Sequence, residues 1–565
     1  MKGMYYIMND LSNLTSKKEI TKEFFEWLFD KKNIDLISEI DFSLCPYYFD
    51  PYIYYPQEIY SFFQTKAMQR LGKIGQLGLT ISSNENSYHT RLEHSKGTYN
   101  RKLEEMILLY QNEQNRKQIE EQNLKLYLIA ELIKEAGHDI GHLPLSHIME
   151  IKLIKKRNFH EDIGKRILTE DSEIQEVLNS INSELPNILK ESLYSDILNS
   201  KAHDESNYDV DRLDYLNRDA LYLGKNLFLT NEPYEIQYAE LDNNGNIKTN
   251  PDGSIVLSTN SSHNQSRIDV YNYSSLEQIE KFLNERVKAY ENVYFSKHTQ
   301  IQDSCVELFL NYIIKQNSNN SSNKFKEFIE HLKNNSYKEI DLNEYLSWND
   351  FKFFKSCIEI AERSENHNST DYACLIIPSL NGLMNFTHQS FSLHNTSQKS
   401  FTPEEKDFIL IIKKLIKNNN RISQNLKNKN FFSDNAFFIN SQNNIEEINK
   451  KFGDIIHYSE ATVTGYNPNE PIYIKDSDGK IYTLDKHPKR TQDWENSKHT
   501  IKVHFLLLPE LKGKGLSETE IEKLLNILVT PQTQHKPFPA DYNKINLYPL
   551  QAKNSMQKVF EELEL

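Results

Sequence analysis

The spacing of hydrophobic side chains predicts a helical structure for most of the first 314 residues. Residues 17–40 are predicted to form a helix, and residues 45–57 an aromatic loop punctuated by proline. From 58 to 230, apolar residues recur every three or four positions, as at Leu126, Ile129, Leu132 and Ile133, which is the spacing of one helix face. The same periodicity returns at residue 275 and continues through the 290s.

Alternating patterns indicate strands in two further places. Residues 235–262 alternate around the turn pairs Asn244-Gly245 and Asp252-Gly253, which predicts a β-hairpin inserted between helices. Residues 455–507 carry the same kind of pattern. An Asn- and Ser-rich linker begins at residue 316, and further helices are expected at 323–333, at 347–363, at 402–417 and after the capping box formed by Ser517 and Glu520.

Together these patterns predict a mainly α fold with a β-hairpin insertion and a C-terminal α+β extension. We expect an N-terminal segment at 1–57 and a helical core at 58–314, which contains the 235–262 insertion. A C-terminal α+β region at 315–565 follows, and its role is open. The 565 residues leave room for roughly two to four domains of ordinary size.

The charge and cysteine content narrow the classes of partner and compartment. The chain has 66 Lys and Arg against 80 Asp and Glu, so its formal net charge is 66 − 80 = −14. That charge argues against broad nucleic-acid binding, which needs a basic surface. Four widely spaced cysteines without a CxxC pair suit a reducing compartment. Because no apolar run approaches the roughly 18 residues of a membrane span, we expect a soluble cytoplasmic protein without membrane partners.

The candidate chemistry is concentrated in a short histidine-rich stretch. Eighteen histidines spread evenly over the chain would place about 0.7 in the 23 positions of 138–160, yet four lie there. His94 precedes this stretch, and the aspartate-rich segment DVDRLDYLNRD (209–219) follows it. A lone histidine on an apolar helix face is more often a core residue, but four so close together favour a metal site.

The residue types in this stretch fit a metal with mixed nitrogen and oxygen ligands. If the adjacent His138 and Asp139 lie at the flank of a helix, His94 and one later aspartate would complete two imidazoles and two carboxylates. Such a set suits Mn, Fe, Co, Ni or Zn, and Mg less comfortably. His142 lies one turn beyond His138, and Glu150 about one turn beyond His147. They provide candidate proton donors with orienting carboxylates.

Six ordered segments carry a resemblance to a known family. They are QRLGKIGQLG (69–78), HTRLEHSKG (89–97), GHDIGHLPLSH (137–147), FHE (159–161), DVDRLDYLNRD (209–219) and RVKAYENVYFSKH (286–298). This order resembles the HD-domain metal-dependent phosphohydrolases. Within them it is similar to the dNTP triphosphohydrolase branch, which includes bacterial dGTPase-like enzymes and the vertebrate sterile-alpha-motif and HD-domain enzyme. The likeness covers roughly residues 45–300 and implies an HD-domain helical core.

The resemblance implies a role for each matching residue. The implied metal ligands are His94, His138, Asp139 and Asp211. The implied catalytic histidines and their partner carboxylates are His142, His147, His160, Glu150 and Glu161. The implied substrate-binding residues are Gln76, Leu77, Arg91, Arg212, Tyr215, Asp219, Arg286 and Tyr294. The three arginines would bind the triphosphate, Tyr215 would exclude a 2′-hydroxyl, and Asp219 would accept a hydrogen bond from the 3′-hydroxyl.

Three positions depart from the family pattern, and one arginine has another expected role. Gly137 precedes the His138-Asp139 pair where an apolar residue or Cys is common in the family. Leu143 stands where the family usually has Gly, and Leu145 where it has Phe, which changes the fit of a triphosphate near His142. Arg218 is expected to form a structural ion pair rather than to bind substrate.

The implied activity is hydrolysis of a dNTP to a deoxynucleoside and triphosphate with a divalent metal as cofactor. Water would attack the α-phosphorus while His142 or His160 protonates the leaving 5′-oxygen, and Glu150 and Glu161 orient the imidazoles. The resemblance also implies a homo-oligomer with nucleotide activators, and by analogy dNTP depletion suits antiviral defence. Two alternatives stay open. One is an HD-type phosphodiesterase or nuclease acting on cyclic nucleotides or single strands. The other is a nucleotide-sensing, partner-binding protein that acts through residues 301–565.

Overall fold

The structure is a computed structural model of the chain. It describes residues 11–41, 52–79, 89–111, 113–121, 123–156, 158–194, 209–223, 248, 270–272, 275–315, 324–334, 337–363, 436–438, 456–467, 471–491, 498–507, 517 and 519–520. Sixteen helices lie in these ranges, and the strands form only small sheets. The fold class is therefore mainly α, as the sequence predicts.

The N-terminal part corrects one expectation. Helix α1 (Leu11–Leu28) ends well before residue 40, and the next element is strand β1 (Leu36–Ile40), which pairs antiparallel with β2 (Tyr52–Pro56). The helix cannot continue because Asp30 and Asn33 have positive φ angles of 50° and 57° and turn the chain. The single helix predicted over 17–40 and the loop predicted over 45–57 were wrong at these strands.

The central part is helical, as predicted for residues 58–230 wherever the structure describes them. Its helices in chain order are α2 (Gln57–Gln64), α3 (Lys66–Leu71), α4 (Arg91–Gln111), α5 (Glu113–Glu121), α6 (Lys125–Ala136), the short α7 (His147–Met149), a π-helical turn (Glu150–Ile154), α8 (Phe159–Glu170), α9 (Ser172–Ile181), α10 (Leu185–Tyr194) and α11 (Val210–Tyr222). Helix α4 packs against α6 and α11, and α6 packs against α10. This packing brings the ends of several helices to one place.

The helical part continues beyond residue 314. It contains α12 (Leu276–Ala289), a π-helical turn (Tyr290–Tyr294), α13 (Lys297–Lys315), α14 (Lys324–Asn334), α15 (Leu342–Leu346) and α16 (Asp350–Arg363). Phe325, Trp348 and Phe353 belong to the same buried hydrophobic cluster as Phe62 and Ile133. Helices α13 and α14 also pack against the π-helical turn that begins at Glu150. The boundary at residue 314 stays a prediction, but the apolar core extends past it.

The remaining strands form two three-stranded sheets. Strands β3 (Val270–Asn272), β6 (Tyr473–Lys475) and β7 (Ile481–Thr483) form one sheet, in which β3 is parallel to β6. The second sheet has the order β4-β8-β5, with antiparallel strands β4 (Ala436–Phe438), β5 (Ile456–Thr464) and β8 (Lys498–Leu507). The strands predicted for 455–507 are confirmed.

Several predicted elements lie outside the described residues. They are the β-hairpin at 235–262, of which Lys248 alone is described, and the helix at 402–417. The capping box of the last predicted helix is present, because the Ser517 backbone N–H and hydroxyl both donate to the Glu520 carboxylate, over 2.9 and 2.6 Å. No helix in the described part of the chain is long and apolar enough to cross a membrane.

Candidate active site

His94 lies in the first turn of α4 and is held there from both sides. The helix begins after a capping box in which the Thr90 backbone N–H donates to Glu93 and the Glu93 N–H donates to the Thr90 hydroxyl, over 2.7 and 3.3 Å. The His94 ring is fully buried, with Nδ1 2.9 Å from Asp214 Oδ2 and Nε2 2.9 Å from Asp211 Oδ1. Asp214 therefore fixes the ring while Nε2 faces the candidate metal site.

His138 and Asp139 lie in the turn that follows α6. The sequence suggested a pair on a helix, but α6 ends at Ala136, and Gly137, Gly141 and Pro144 favour a turn afterwards. The His138 Nδ1–H donates to the carbonyl oxygen of Glu135 over 2.7 Å, which leaves Nε2 directed away from its own backbone. The turn still brings the two adjacent side chains to one point.

Four side chains from three segments converge on this point. His138 Nε2 lies 3.4 Å from Asp139 Oδ1 and 3.5 Å from Asp211 Oδ1, and His94 Nε2 lies 3.6 Å from Asp139 Oδ2. The candidate ligand atoms of His94, His138 and Asp211 lie within 4.8 Å of one another. The structure thus brings the four predicted metal ligands together.

The electrostatics of these four groups favour a bound cation. Burial opposes the charge on Asp211, but the adjacent imidazoles of His138 and His94 keep its pKa well below the usual range. Burial likewise opposes the charge on Asp139, and Arg91 and His138 lower its pKa. His138 Nε2 is a buried atom with no hydrogen-bond partner in the described part of the chain. Two ionised carboxylates beside such a nitrogen fit a divalent metal with mixed ligands.

A second imidazole cluster lies next to the first. Glu150 is buried, and its two oxygens accept hydrogen bonds from His147 Nδ1 and His160 Nδ1 over 3.0 and 2.8 Å. The same carboxylate accepts the His160 backbone N–H at the start of α8, where the helix dipole favours a negative charge. The rings of His142 and His160 stack with centroids 4.0 Å apart. One carboxylate therefore orients two of the three predicted catalytic histidines.

The stacked pair His142 and His160 differs in proton affinity. Burial lowers the pKa of His142 well below its usual range, and the charges of Arg91 and His160 lower it further. Burial opposes protonation of His160 too, but the hydrogen bond to Glu150 and the charge of Glu150 outweigh it and raise the pKa of His160. His160 therefore keeps a proton at a pH at which His142 has lost one.

Arg91 connects the two clusters. Its buried guanidinium donates to Asp139 Oδ2 over 2.6 Å and to the Ser146 hydroxyl over 3.1 Å. Asp139 Oδ1 in turn lies 3.1 Å from His142 Nε2. Arg91 thus lies between the metal ligands and the catalytic candidates, where a phosphate would meet both.

Asp219, Tyr215 and Tyr294 form a neighbouring group. The buried Asp219 accepts hydrogen bonds from His89 Nε2 over 2.6 Å and from the Tyr294 hydroxyl. The ring of Tyr215 lies 6.1 Å from that of Tyr294 and 6.4 Å from that of His94, measured between centroids. The predicted sugar-binding residues therefore adjoin the metal cluster, while both oxygens of Asp219 already have protein donors.

The other predicted substrate residues differ in their surroundings. Arg286 lies over the ring of Tyr290, 5.7 Å from its centroid, and that ring lies 5.0 Å from the ring of Tyr294. Arg212 precedes Tyr215 by one turn of α11. Burial raises the pKa of the Tyr215 hydroxyl well above its usual range, although the charges of Arg286 and Arg212 oppose this. Arg212 forms an ion pair with Asp209 in the first turn of α11. Gln76 is buried, and its Oε1 has no hydrogen-bond partner among the described residues, whereas Leu77 is half-buried.

Glu161 differs from the other predicted carboxylates. It is exposed in the first turn of α8, beside His160 in sequence, and it adds to the negative potential that raises the pKa of His160. The carboxylate that accepts hydrogen bonds from His147 and His160 is that of Glu150. The orienting role of Glu161 stays a prediction.

Sequence reasoning assigned no site role to Asp214 or His89. Asp214 could have been found, because it lies one helical turn after Asp211 and so shares its helix face. Asp214 also pairs with Arg218, which donates to both Asp214 and Asp41 over 2.9 and 2.8 Å and so forms the expected structural pair. His89 stacks on Tyr222 with centroids 4.5 Å apart. That contact joins residues 133 positions apart, so no local sequence pattern predicts it.

No family model matches the chain. Curated relatives match over a limited region. An uncharacterised protein of Bacillus subtilis is 32% identical over 170 residues, which is 29% of this chain and 36% of the relative. A putative HD domain-containing protein of Acanthamoeba polyphaga mimivirus is 33% identical over 30% of this chain and 39% of its own length. A Dictyostelium discoideum protein named as a deoxynucleoside triphosphate triphosphohydrolase SAMHD1 homolog is 31% identical over 30% of this chain and 34% of its own length. The chain thus spans less than two fifths of the length of these relatives.

Two solved structures are similar over more of the chain but at low identity. A phosphohydrolase of Bacteroides thetaiotaomicron is 17% identical, with a TM-score of 0.48 over 84% of this chain and 99% of that structure. A hypothetical protein of Aquifex aeolicus is 20% identical, with a TM-score of 0.45 over 86% of this chain and 100% of that structure.

Proposed function

We propose that the chain is an HD-domain phosphohydrolase and that it hydrolyses deoxynucleoside triphosphates to deoxynucleoside and triphosphate. The observation that carries the proposal is the order of chemical groups across the site. A cluster that fits a cation adjoins stacked histidines of unlike proton affinity, and Arg91 lies between them. The group of Tyr215, Asp219 and Tyr294 follows on the other side of His94.

The cofactor would be a divalent metal held by His94, His138, Asp139 and Asp211. The metal would supply Lewis-acid charge to a phosphate oxygen and to the attacking water. Asp214 keeps the His94 ring in the orientation that this role requires. Mn, Fe, Co, Ni and Zn are the candidates that suit these ligands best, with Mg less suited.

The second cluster would supply the proton. Water adds to the α-phosphorus, the bond from the α-phosphorus to the 5′-oxygen breaks, and the leaving 5′-oxygen takes up a proton. His160 is the better donor of the stacked pair, because Glu150 raises its pKa while His142 is held neutral. His142 remains close enough through the stack to contact the same substrate.

The anionic substrate would be bound by local positive charge within a negatively charged protein. Arg91, Arg212 and Arg286 would donate charge-assisted hydrogen bonds to the triphosphate. Gln76 and Leu77 would lie near the base and sugar, and the unpaired Gln76 Oε1 offers an acceptor there. Tyr215 would exclude a 2′-hydroxyl. The proposal includes assembly of the chain into a homo-oligomer that a nucleotide activates.

The test is product identification with the purified full-length chain. Each dNTP and NTP is incubated with Mn²⁺, Fe²⁺, Co²⁺, Ni²⁺, Zn²⁺ or Mg²⁺, alone and with dNTP mixtures as activators. We expect deoxynucleoside and tripolyphosphate in equal amounts. The substitution Asp211→Asn should abolish both products. The control is Asp35→Asn, at an exposed aspartate directly before β1, which should leave both products unchanged.

Other products would assign another reaction. Deoxynucleoside monophosphate with pyrophosphate would mean that the α–β phosphoanhydride bond is broken instead. Shortened oligonucleotides or opened cyclic nucleotides in parallel assays would replace the proposal with a phosphodiesterase or nuclease activity. The proposal fails if no deoxynucleoside forms with any metal and any nucleotide mixture.

A further inference from the structure

Residues 345–350, here called the latch segment, lie against the loops of the candidate active site. They join α15 to α16, about 200 positions after the histidine-rich stretch and beyond the part of the chain that resembles the family. Tyr345, Trp348 and Asp350 are all buried. The hydrogen bonds of Tyr345 and Asp350 go to backbone groups of the loops rather than to the metal cluster, so these contacts need a separate explanation.

The Asp350 carboxylate bridges two loops of the site. Its Oδ1 accepts the Leu145 backbone N–H over 2.8 Å, and its Oδ2 accepts the Gly75 backbone N–H over 2.9 Å. Gly75 is the neighbour of Gln76, and Leu145 lies between His142 and His147. One carboxylate therefore fixes the distance between the predicted base-proximal residue and the predicted catalytic histidines.

The turn that Asp350 holds is strained. Leu145 and Ser146 have φ angles of 60° and 55°, in the left-handed region that non-glycine residues seldom adopt. Such conformations persist only where surrounding contacts impose them. Those contacts are the bond from Leu145 to Asp350 and the bond from the Ser146 hydroxyl to the carbonyl oxygen of Gly75, over 2.9 Å. The strained turn ends at His147.

Two further contacts fix the backbone around His142. The buried Arg70 guanidinium donates to the carbonyl oxygens of Ile140 and His142 and, over 2.9 Å, to that of Trp348 in the latch segment. The Tyr345 hydroxyl donates to the carbonyl oxygen of Gly141 over 2.5 Å. The latch segment thus contacts the histidine loop on both sides of His142.

We propose that Asp350, with Tyr345, is a positioning residue that holds the His142–His147 loop and the Gln76 loop in the arrangement needed for catalysis. The role in catalysis rests on the proposed function, whereas the role in fixing the loops does not. Keeping a carboxylate at this position is costly, since burial raises the pKa of Asp350 to about 6 against the two backbone hydrogen bonds. An apolar residue would avoid that cost but would release both loops.

The experiment compares Asp350→Asn with Asp341→Asn in the full-length chain. Asp341 is a matched control, because its exposed carboxylate also accepts two backbone N–H groups, those of Asn343 and Glu344, but within its own turn. Hydrogen exchange is measured by mass spectrometry over peptides that cover 73–78 and 140–147. Asp350→Asn should speed exchange in both peptides, and Asp341→Asn in neither.

Activity and metal content are measured on the same samples. In Asp350→Asn we expect kcat to fall about 10- to 100-fold with KM changed less than about threefold, because misplacement by about 1 Å has effects of that size. Bound metal should be unchanged, since Asp350 contacts none of the four candidate ligands. Tyr345→Phe removes one hydroxyl, keeps the buried ring, and should show the same pattern more weakly over 140–147.

Two results would overturn the proposal. The first is exchange and kcat in Asp350→Asn and Tyr345→Phe that match Asp341→Asn. The second is loss of bound metal in step with kcat, which would place Asp350 in the support of the metal cluster instead. If the unchanged protein hydrolyses no dNTP, the proposed function fails, while the exchange measurements still decide whether Asp350 fixes the loops.

Discussion

The two imidazole clusters of the candidate site are neighbours, yet their carboxylates lie on opposite sides of the rings. In the first cluster, Asp139 and Asp211 face the Nε2 atoms of His94 and His138. In the second, Glu150 binds the Nδ1 atoms of His147 and His160, behind the rings. Carboxylates that face the converging nitrogens add oxygen ligands for a cation, whereas a carboxylate behind a ring adds no ligand there but orients the ring and favours its protonated form.

This difference assigns unlike chemistry to similar residues. Both clusters have ligand atoms within 4.8 Å of one another, so composition alone does not separate them. In the second cluster, however, Glu150 already accepts hydrogen bonds through both of its oxygens, and its pKa is held low by His147 and His160 although burial opposes this. We therefore expect metal binding to depend on the first cluster and proton transfer on the second.

The largest expected effect comes from removing a carboxylate of the first cluster. Asp211→Asn should lower bound metal below one tenth of that of the unchanged protein and lower kcat/KM about a thousandfold, or about 4 kcal/mol. Metal content by plasma mass spectrometry and initial rates measure the two quantities. Full metal occupancy in Asp211→Asn would contradict the assignment of the first cluster.

The second cluster should show the opposite split. Glu150→Gln removes the charge that orients two imidazoles, so we expect kcat to fall about 100-fold, within the usual range for acid–base catalysis, with metal content unchanged. Glu161→Gln is the matched variant, because Glu161 is an exposed glutamate beside His160 in sequence. We expect kcat to fall less in Glu161→Gln than in Glu150→Gln. If kcat falls equally in the two variants, Glu150 is not the main orienting carboxylate, and the orienting role predicted for Glu161 is supported.

Asp214→Asn should weaken metal binding without removing a ligand. Asp214 holds His94 from behind, and such partners typically contribute 10- to 100-fold in metal affinity. Titration with Mn²⁺ or Co²⁺ and competition with a chelator would measure this change. Asp41→Asn is a useful control, since Asp41 shares Arg218 with Asp214 but does not contact His94. Equal affinities in the two variants would remove Asp214 from the metal site.

The smallest effect is a shift in the pH profile. The pKa of His160 is raised, so its protonated form persists above the usual range and is lost as pH rises through the folded-state value. A donor role predicts that kcat falls on the alkaline side with that pKa. In Glu150→Gln the limb should move to lower pH, because the main cause of the raised pKa is gone. An unmoved limb would exclude His160 as the donor.

The site residues that share short segments could be predicted from the sequence. His138 and Asp139 are adjacent, and Asp211 stands in a helix start that Asp209 caps by accepting the Arg212 backbone N–H over 2.7 Å. Helical spacing likewise predicted most of the helices between residues 58 and 363. These features depend on neighbours within about one helical turn, which a sequence displays directly.

The features that the sequence did not reveal depend on distant contacts. Strand β1 was taken for helix because its pairing with β2 is set by tertiary structure rather than by local spacing. Asp350 reaches Leu145 over 205 positions and Gly75 over 275. Its sequence neighbourhood resembles an ordinary helix start, so its contact with the site appears only in the folded chain.

The central claim is that water attacks the α-phosphorus of a dNTP at these two clusters. The most direct measurement is hydrolysis in H₂¹⁸O, followed by mass spectrometry of the products. Our account predicts one ¹⁸O in tripolyphosphate and none in the deoxynucleoside, with both products absent in Asp211→Asn. Label in the 5′-hydroxyl of the deoxynucleoside, or release of a monophosphate in place of tripolyphosphate, would contradict it.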